Sequence, residues 1–181
     1  KGKLKARYNA TSPQAAMRYF ESIYKNNPSN ENTFAYIASL KSSGNFLEAT
    51  NLNNQLLKKF PKNLILNITK AEILLSAQQY DRAEVSIEEV LRISPRNYPA
   101  SIVKAKILSA KNESIKAEEI LRDLLIKKNK DPGIWIQLSE IQRSGKNIVG
   151  YHLSKGEYFL LIGDFQNALN QFQFAFGLSG H

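Results

Sequence analysis

The side chains that most often do acid-base, nucleophilic or metal chemistry are scarce in this 181-residue chain, which has two histidines, His152 and His181, and no cysteine. Hydrolysis at a zinc ion calls for a cluster such as His-Glu-x-x-His, which sets two imidazoles on one helical face with a carboxylate between them. His152 and His181 are far apart in the sequence, and one turn beyond His152 stands Lys155 rather than an acid. His152 therefore reads as a surface or partly packed histidine, not a ligand. Without thiols there is no disulfide scaffold, thiolate metal site or thiol nucleophile, and the compartment stays open on that evidence. The phosphate-loop pattern, the dinucleotide glycine fingerprint and the nucleophile elbow are missing too. The expectation is a chain with no catalytic residues, no metal site and no cofactor of its own.

Lysine and arginine number 25 against 16 acidic residues, a formal charge of +9. Such a balance suits nucleic acid, an anionic membrane surface or an acidic protein. Its distribution argues against a nucleic-acid partner. Lys58-Lys59 and Lys127-Lys128 close helical patterns, where cations oppose the negative end of the helix dipole, and Glu88-Glu89 and Glu118-Glu119 interrupt any basic face. No apolar run approaches the ~20 residues that span a bilayer. The stretch Phe159–Ile162 stops after four. The chain opens at Lys1 with no leader and closes just after a helical pattern, so it reads as a piece of a longer protein.

The elements that must position any site come from an internal repeat. Ala16 precedes Pro28 by twelve residues, Ala49 precedes Pro61 and Ala83 precedes Pro95 by the same interval, and Ala117 stands in the same relation to Asn129. The alanines themselves recur with a period of about 34 residues. Between them, apolar residues recur at three- and four-residue spacing, as in Ile73, Leu74, Ala77 and then Ala83, Ile87, Val90, Leu91. Each unit is therefore a pair of helices. Gly, Asn or polar residues break the two members of a pair, and Pro, which lacks the N–H and clashes with the preceding turn, separates the pairs. The spacing predicts eleven helices near 3–10, 13–26, 31–43, 46–59, 64–77, 80–92, 98–110, 114–128, 132–144, 148–162 and 165–177, and no strand.

This pattern resembles the tetratricopeptide repeat, a helix–turn–helix unit of about 34 residues with a bulky residue early, small residues where its helices cross, and a terminal proline. The residues carrying the resemblance are Phe34, Ala38 and Ala49; Ala71, Tyr80 and Ala83; Ala105 and Ala117; Trp135 and Leu138; then Gly156, Gly163, Phe165, Ala168, Phe172 and Ala175. It implies an all-α fold, a right-handed superhelix or solenoid of about five helix pairs in one domain over 1–181. The units run near 1–30, 31–63, 64–97, 98–131 and 132–181. The step from Ala117 to Ala168 is one and a half periods. Segment 148–162 must then serve as second helix to 132–144 and first helix to 165–177, a half-repeat slip near 147–162. Asn147–Gly150 is either a bend at that slip or an ordinary helix start.

In such repeats the inner surface is lined by the first helix of each unit. By the resemblance it falls on Asn32, Ala35, Tyr36 and Ser39; Ile65, Ile68, Thr69, Glu72 and Leu75; Ile102, Val103 and Lys106; and Ile136, Gln137, Glu140 and Arg143. Some members grip a peptide carboxylate with a Lys/Asn/Lys/Arg clamp. Here the matching positions are Ala35, Ser39, Thr69, Ile102 and Lys106, so a clamp is not expected. The expected ligand is an apolar or extended protein segment, or another domain of the parent protein. The alternative is that Ile65, Ile68 and Ile102 pack against neighbouring helices.

A narrower resemblance lies in Trp135–Glu140, in Tyr151–Leu169 with its aromatic Gly156-Glu157-Tyr158 helix, and in Leu4–Tyr8. These are similar to the C-terminal repeat region of bacterial periplasmic zinc metalloproteases that monitor outer-membrane β-barrel assembly. That resemblance implies a His-Glu-x-x-His domain upstream of Lys1, zinc in that parent domain only, a periplasmic location, and docking to the protease domain and to outer-membrane assembly substrates or machinery. Two other readings stay open: a stand-alone scaffold or adaptor for pilus or secretion assembly, and a basic nucleic-acid-binding helical repeat.

Overall fold

The computed structural model describes residues 12–180, so the helix expected at 3–10 and His181 lie outside the described residues. Among the described residues are ten α-helices and no strand: α1 Pro13–Asn26, α2 Asn30–Ser42, α3 Phe46–Lys59, α4 Leu64–Ser76, α5 Tyr80–Ile93, α6 Tyr98–Ala110, α7 Ser114–Lys128, α8 Pro132–Ser144, α9 Ile148–Leu161 and α10 Phe165–Ser179.

Two kinds of punctuation set these boundaries, and both keep the repeat's register. The first stops a helix and turns the chain back. Gly44, Gln78, Asn112, Lys146 and Gly163 have positive φ, spaced by one constant interval that is halved before Gly163. At each, the following amide reaches back five residues: Asn45, Gln79, Glu113, Asn147 and Asp164 donate to the carbonyls of Leu40, Leu74, Leu108, Gln142 and Phe159 at 2.8–2.9 Å. The left-handed residue's own N–H reaches back three, from Gly44 to Lys41 and from Lys146 to Arg143 for example. This double closure satisfies the carbonyls that a helix end leaves orphaned. The second punctuation starts a new pair. Ser29, Asn63, Asn97 and Asp131 recur at the full repeat interval and cap the helices that follow them, their side-chain oxygens accepting from the N–H of Asn32, Leu66, Ala100 and Gly133. Such caps are each worth about 1 kcal/mol.

The chain divides into two compact units with the boundary between Ser86 and Ile87, inside α5. In the first, the core is Tyr36, Ile37 and Leu40 of α2, Ala49, Leu52 and Leu56 of α3, and Leu66 and Ile73 of α4. In the second, Ala105 and Leu108 of α6, Ala117, Leu121 and Leu125 of α7, and Ile134, Leu138 and Ile141 of α8 form a matching cluster. Beyond it, α9 packs against both α8 and α10.

Seven residues before each left-handed position, one register position recurs in α2, α4, α6, α8 and α9. It holds Ile37, Ala71, Ala105, Ser139 and Gly156. The first four are fully buried. At Gly156 a Cβ would lie 2.5 Å from the Phe172 ring, so only hydrogen fits beneath that side chain. The expectation that Ala38 fills this site in the second unit is corrected: Ile37 holds the register and Ala38 is half-buried beside it. Asn147 resolves as an ordinary helix start, its Oδ1 accepting from Gly150 N–H at 3.0 Å.

Candidate functional site

The first helices of the pairs, α2 and α4 in the first unit and α6 and α8 in the second, carry the residues expected to meet a partner. Packing divides them. Tyr36, Ile68, Thr69 and Val103 are buried. Tyr36 stacks on Tyr24 with ring centroids 5.4 Å apart and donates its hydroxyl to Glu48 Oε1 at 3.0 Å. Burial first, and then the Glu48 carboxylate, raise its pKa above the ordinary phenol range. Thr69 donates to Ile65 O at 2.9 Å, and Ser39 to Tyr36 O at 2.7 Å, so both hydroxyls are committed to their own helices. These residues build the wall. They cannot clamp a carboxylate, because their polar groups are already satisfied inside it.

What the first unit presents outward is different. Ile65 is 62% exposed on α4, at the same helix end as the buried Ile68. Asn32 is half-buried and donates to Asn27 O at 2.8 Å. Lys41 of α2 pairs with Glu72 of α4, joining two first helices across their shared edge. In the second unit Ile102 leans on the core cluster and Lys106 is exposed. Ile136, Gln137 and Glu140 are half-buried on α8, and Glu140 pairs with the exposed Arg143 one turn on. The two readings of the isoleucines thus separate by residue: Ile68 and Ile102 pack, and Ile65 projects.

Sequence reasoning passed over three polar arrangements. Glu118 on α7 accepts from Gln142 Nε2 at 3.0 Å, Asn147 Nδ2 at 3.2 Å and Arg122 Nη2 at 3.3 Å, tying α7 to α8 and to the start of α9. Tyr98 donates to Asp131 Oδ2 at 3.0 Å across nearly one full period, and Lys128 lies over the Tyr98 ring. Lys104 of α6 pairs with Glu88 of α5 at 2.6 Å. The signal for the Tyr98 contact was present in the sequence, since Asp131 takes the place of Asn97 one repeat on.

Among the described residues no three His, Asp or Glu side chains gather to hold a metal. His152 is half-buried, its Nδ1 2.9 Å from Gln171 Oε1 and its ring against Tyr151 and Phe174. The side chain joins α9 to α10 as a packed histidine. No described helix is long and apolar enough to cross a membrane.

A family model of the tetratricopeptide repeat matches residues 74–138. No curated protein sequence matches the chain. Among solved structures, TTC0263, a thermophilic TPR protein of Thermus thermophilus, is 18% identical with a TM-score of 0.75, over 94% of this chain and 93% of that one. A tetratricopeptide repeat protein from Parabacteroides merdae is 16% identical, TM-score 0.62, covering 98% and 76% of the two chains. BtubC from P. vanneervenii is 14% identical, TM-score 0.56, covering 93% and 90%. Residues 74–138 thus match the tetratricopeptide-repeat model, and the described helices share the fold of solved tetratricopeptide-repeat proteins.

Proposed function

We propose that this chain is a non-catalytic protein-interaction module, and that it is the C-terminal repeat region of a periplasmic zinc metalloprotease that engages outer-membrane assembly substrates. The observation that carries the interaction reading is the first-helix face, where Ile65 projects 62% exposed from a wall whose neighbouring positions Ile68 and Thr69 are buried. A rigid wall presenting single apolar side chains among half-buried amides and paired charges suits an extended, mostly apolar segment, which gains affinity from burial without needing a charge clamp. Zinc belongs to the proposed upstream domain. The described residues offer it no ligand cluster, so no step here runs through it.

The test is anisotropy titration of a labelled peptide copied from an unfolded outer-membrane β-strand. Saturable binding is expected, about tenfold weaker for Ile65→Asp, a loss of about 1.4 kcal/mol, with helicity unchanged because the side chain is already exposed. Absent binding, or equal binding by the variant, contradicts the interaction reading. The parental reading frame tests the rest: a His-Glu-x-x-His helix upstream of Lys1 is required. A frame without it favours the second reading, a stand-alone scaffold for pilus or secretion assembly.

A further inference from the structure

α10 is the one helix among the ten described that carries no Lys, Arg, Asp or Glu, in a chain whose net charge is +9. Its sequence is phenylalanine, leucine, small residues and amides. Phe165, Leu169, Phe172 and Phe176 follow at intervals of four, three and four, which aligns them in one stripe along the helix. Counted from the left-handed turn, they occupy the positions of Ser114, Glu118, Leu121 and Leu125 on α7. On α7 that edge is covered: Leu121 and Leu125 are buried in one cluster with Ile134 and Leu138 of the next helix, α8. On α10 the same edge faces solvent, with Phe165 69%, Leu169 52% and Phe176 78% exposed. Phe172 is half-buried over Gly156 and fixes the rotation of the stripe.

We propose that α10 is a homodimer interface, its stripe packing antiparallel against the same stripe of a second copy about a two-fold axis near Phe172. In a two-fold contact every charge near the axis meets a like charge from its own copy. All nine other described helices carry charged residues, so α10 is the helix on which two +9 chains approach without that penalty. Gln166, Asn170 and Gln173 lie along one side of the stripe, and amides, being donor and acceptor at once, pair with their own kind. The three exposed side chains offer about 400 Å² of apolar surface per copy. With the flanking amides, two copies bury on the order of 1,000 Å², the size at which an interface becomes specific.

Sedimentation velocity on the full chain, from micromolar to sub-millimolar concentration, tests this. The chain is expected to pass from monomer to dimer, and Leu169→Glu/Phe176→Glu is expected to weaken dimerisation at least tenfold with unchanged circular dichroism. Because the chain has no cysteine, Gln173→Cys supplies a single handle beside the axis, and mild oxidation should link that variant to its copy. Gln55→Cys on α3 should stay unlinked. Association should also strengthen as salt screens the two net positive charges. A wild-type chain that stays monomeric at the highest concentration overturns the proposal, as does a dimer that survives in the double variant, dissociates with salt, or leaves the Gln173→Cys variant unlinked.

Discussion

At Asn53 and Gln142 the repeat carries an amide where its other copies carry hydrocarbon. Asn53 occupies the position of Ile87 and Leu121, and Gln142 that of Leu40, Leu74 and Leu108. Both are fully enclosed, and Asn53 Oδ1 and Gln142 Oε1 find no hydrogen-bond partner. Asn53 keeps one bond, from Nδ2 to Leu66 O at 3.1 Å, on a carbonyl that its own helix already uses. An enclosed acceptor without a donor costs about 1–3 kcal/mol, more than that surplus bond returns. Asn53→Leu, which keeps the branched shape of the side chain while removing both polar atoms, should therefore raise stability by about 1 kcal/mol, read as a higher urea midpoint at constant slope. A lower midpoint would show that the amide stabilises the fold. Tyr98 gives a prediction in pH. Burial, and then the Asp131 carboxylate beside it, push its phenol up to about 12, above the value near 10 of an unfolded tyrosine. The folded state then holds its proton where the unfolded state releases it. The stabilisation is whole below about pH 10 and is lost as pH rises toward about 12. The urea midpoint should fall over that window, and fall less in Tyr98→Phe.

At the scale of the helix, the punctuation decides which parts were legible. The expected spans begin and end within one residue of every helix from α1 to α9, and α10 runs two residues further, because turn residues and three–four spacing state them directly. The left-handed turns at Gln78 and Lys146 were not legible as such, because only Gly44, Gly163 and, more weakly, Asn112 advertise positive φ by residue type. Ala38 was misplaced for a related reason: a small residue was matched by its size, whereas position is fixed by distance from the turn. That the residues expected to meet a partner lie on the first helices of the pairs was legible. Their burial was not, since whether Ile65 or Ile68 turns inward depends on a helix rotation that the neighbouring pair determines. Gly156 makes the tightest of these contacts testable. Alanine is favoured over glycine in a helix by about 1 kcal/mol. Gly156→Ala should nonetheless lower stability by about 1–3 kcal/mol, because its methyl would enter the Phe172 ring. Thermal unfolding of Gly156→Ala and of Gly156→Ala/Phe172→Leu checks it: the second substitution should restore part of the loss. A single variant more stable than wild type would place the ring elsewhere.

At the scale of the whole molecule, the described cores lie between neighbouring helices. Each unit holds its own cluster of aliphatic side chains, and among the described residues no acidic or imidazole set converges. Adding EDTA should leave the melting temperature where it was, whereas a fall of several degrees would reveal a structural ion. The last left-handed turn, which arrives after half the interval that separates the others, carries a different consequence. A chain built only from whole pairs lengthens by even numbers of helices. Here one odd helix, α9, stands between α8 and α10 and packs against both. Parity is therefore something this architecture can change one helix at a time, by gaining or losing about half a repeat between two identical turn motifs. An engineer could repeat that step deliberately, splicing out α9 from one turn to the next so that α10 becomes the direct companion of α8.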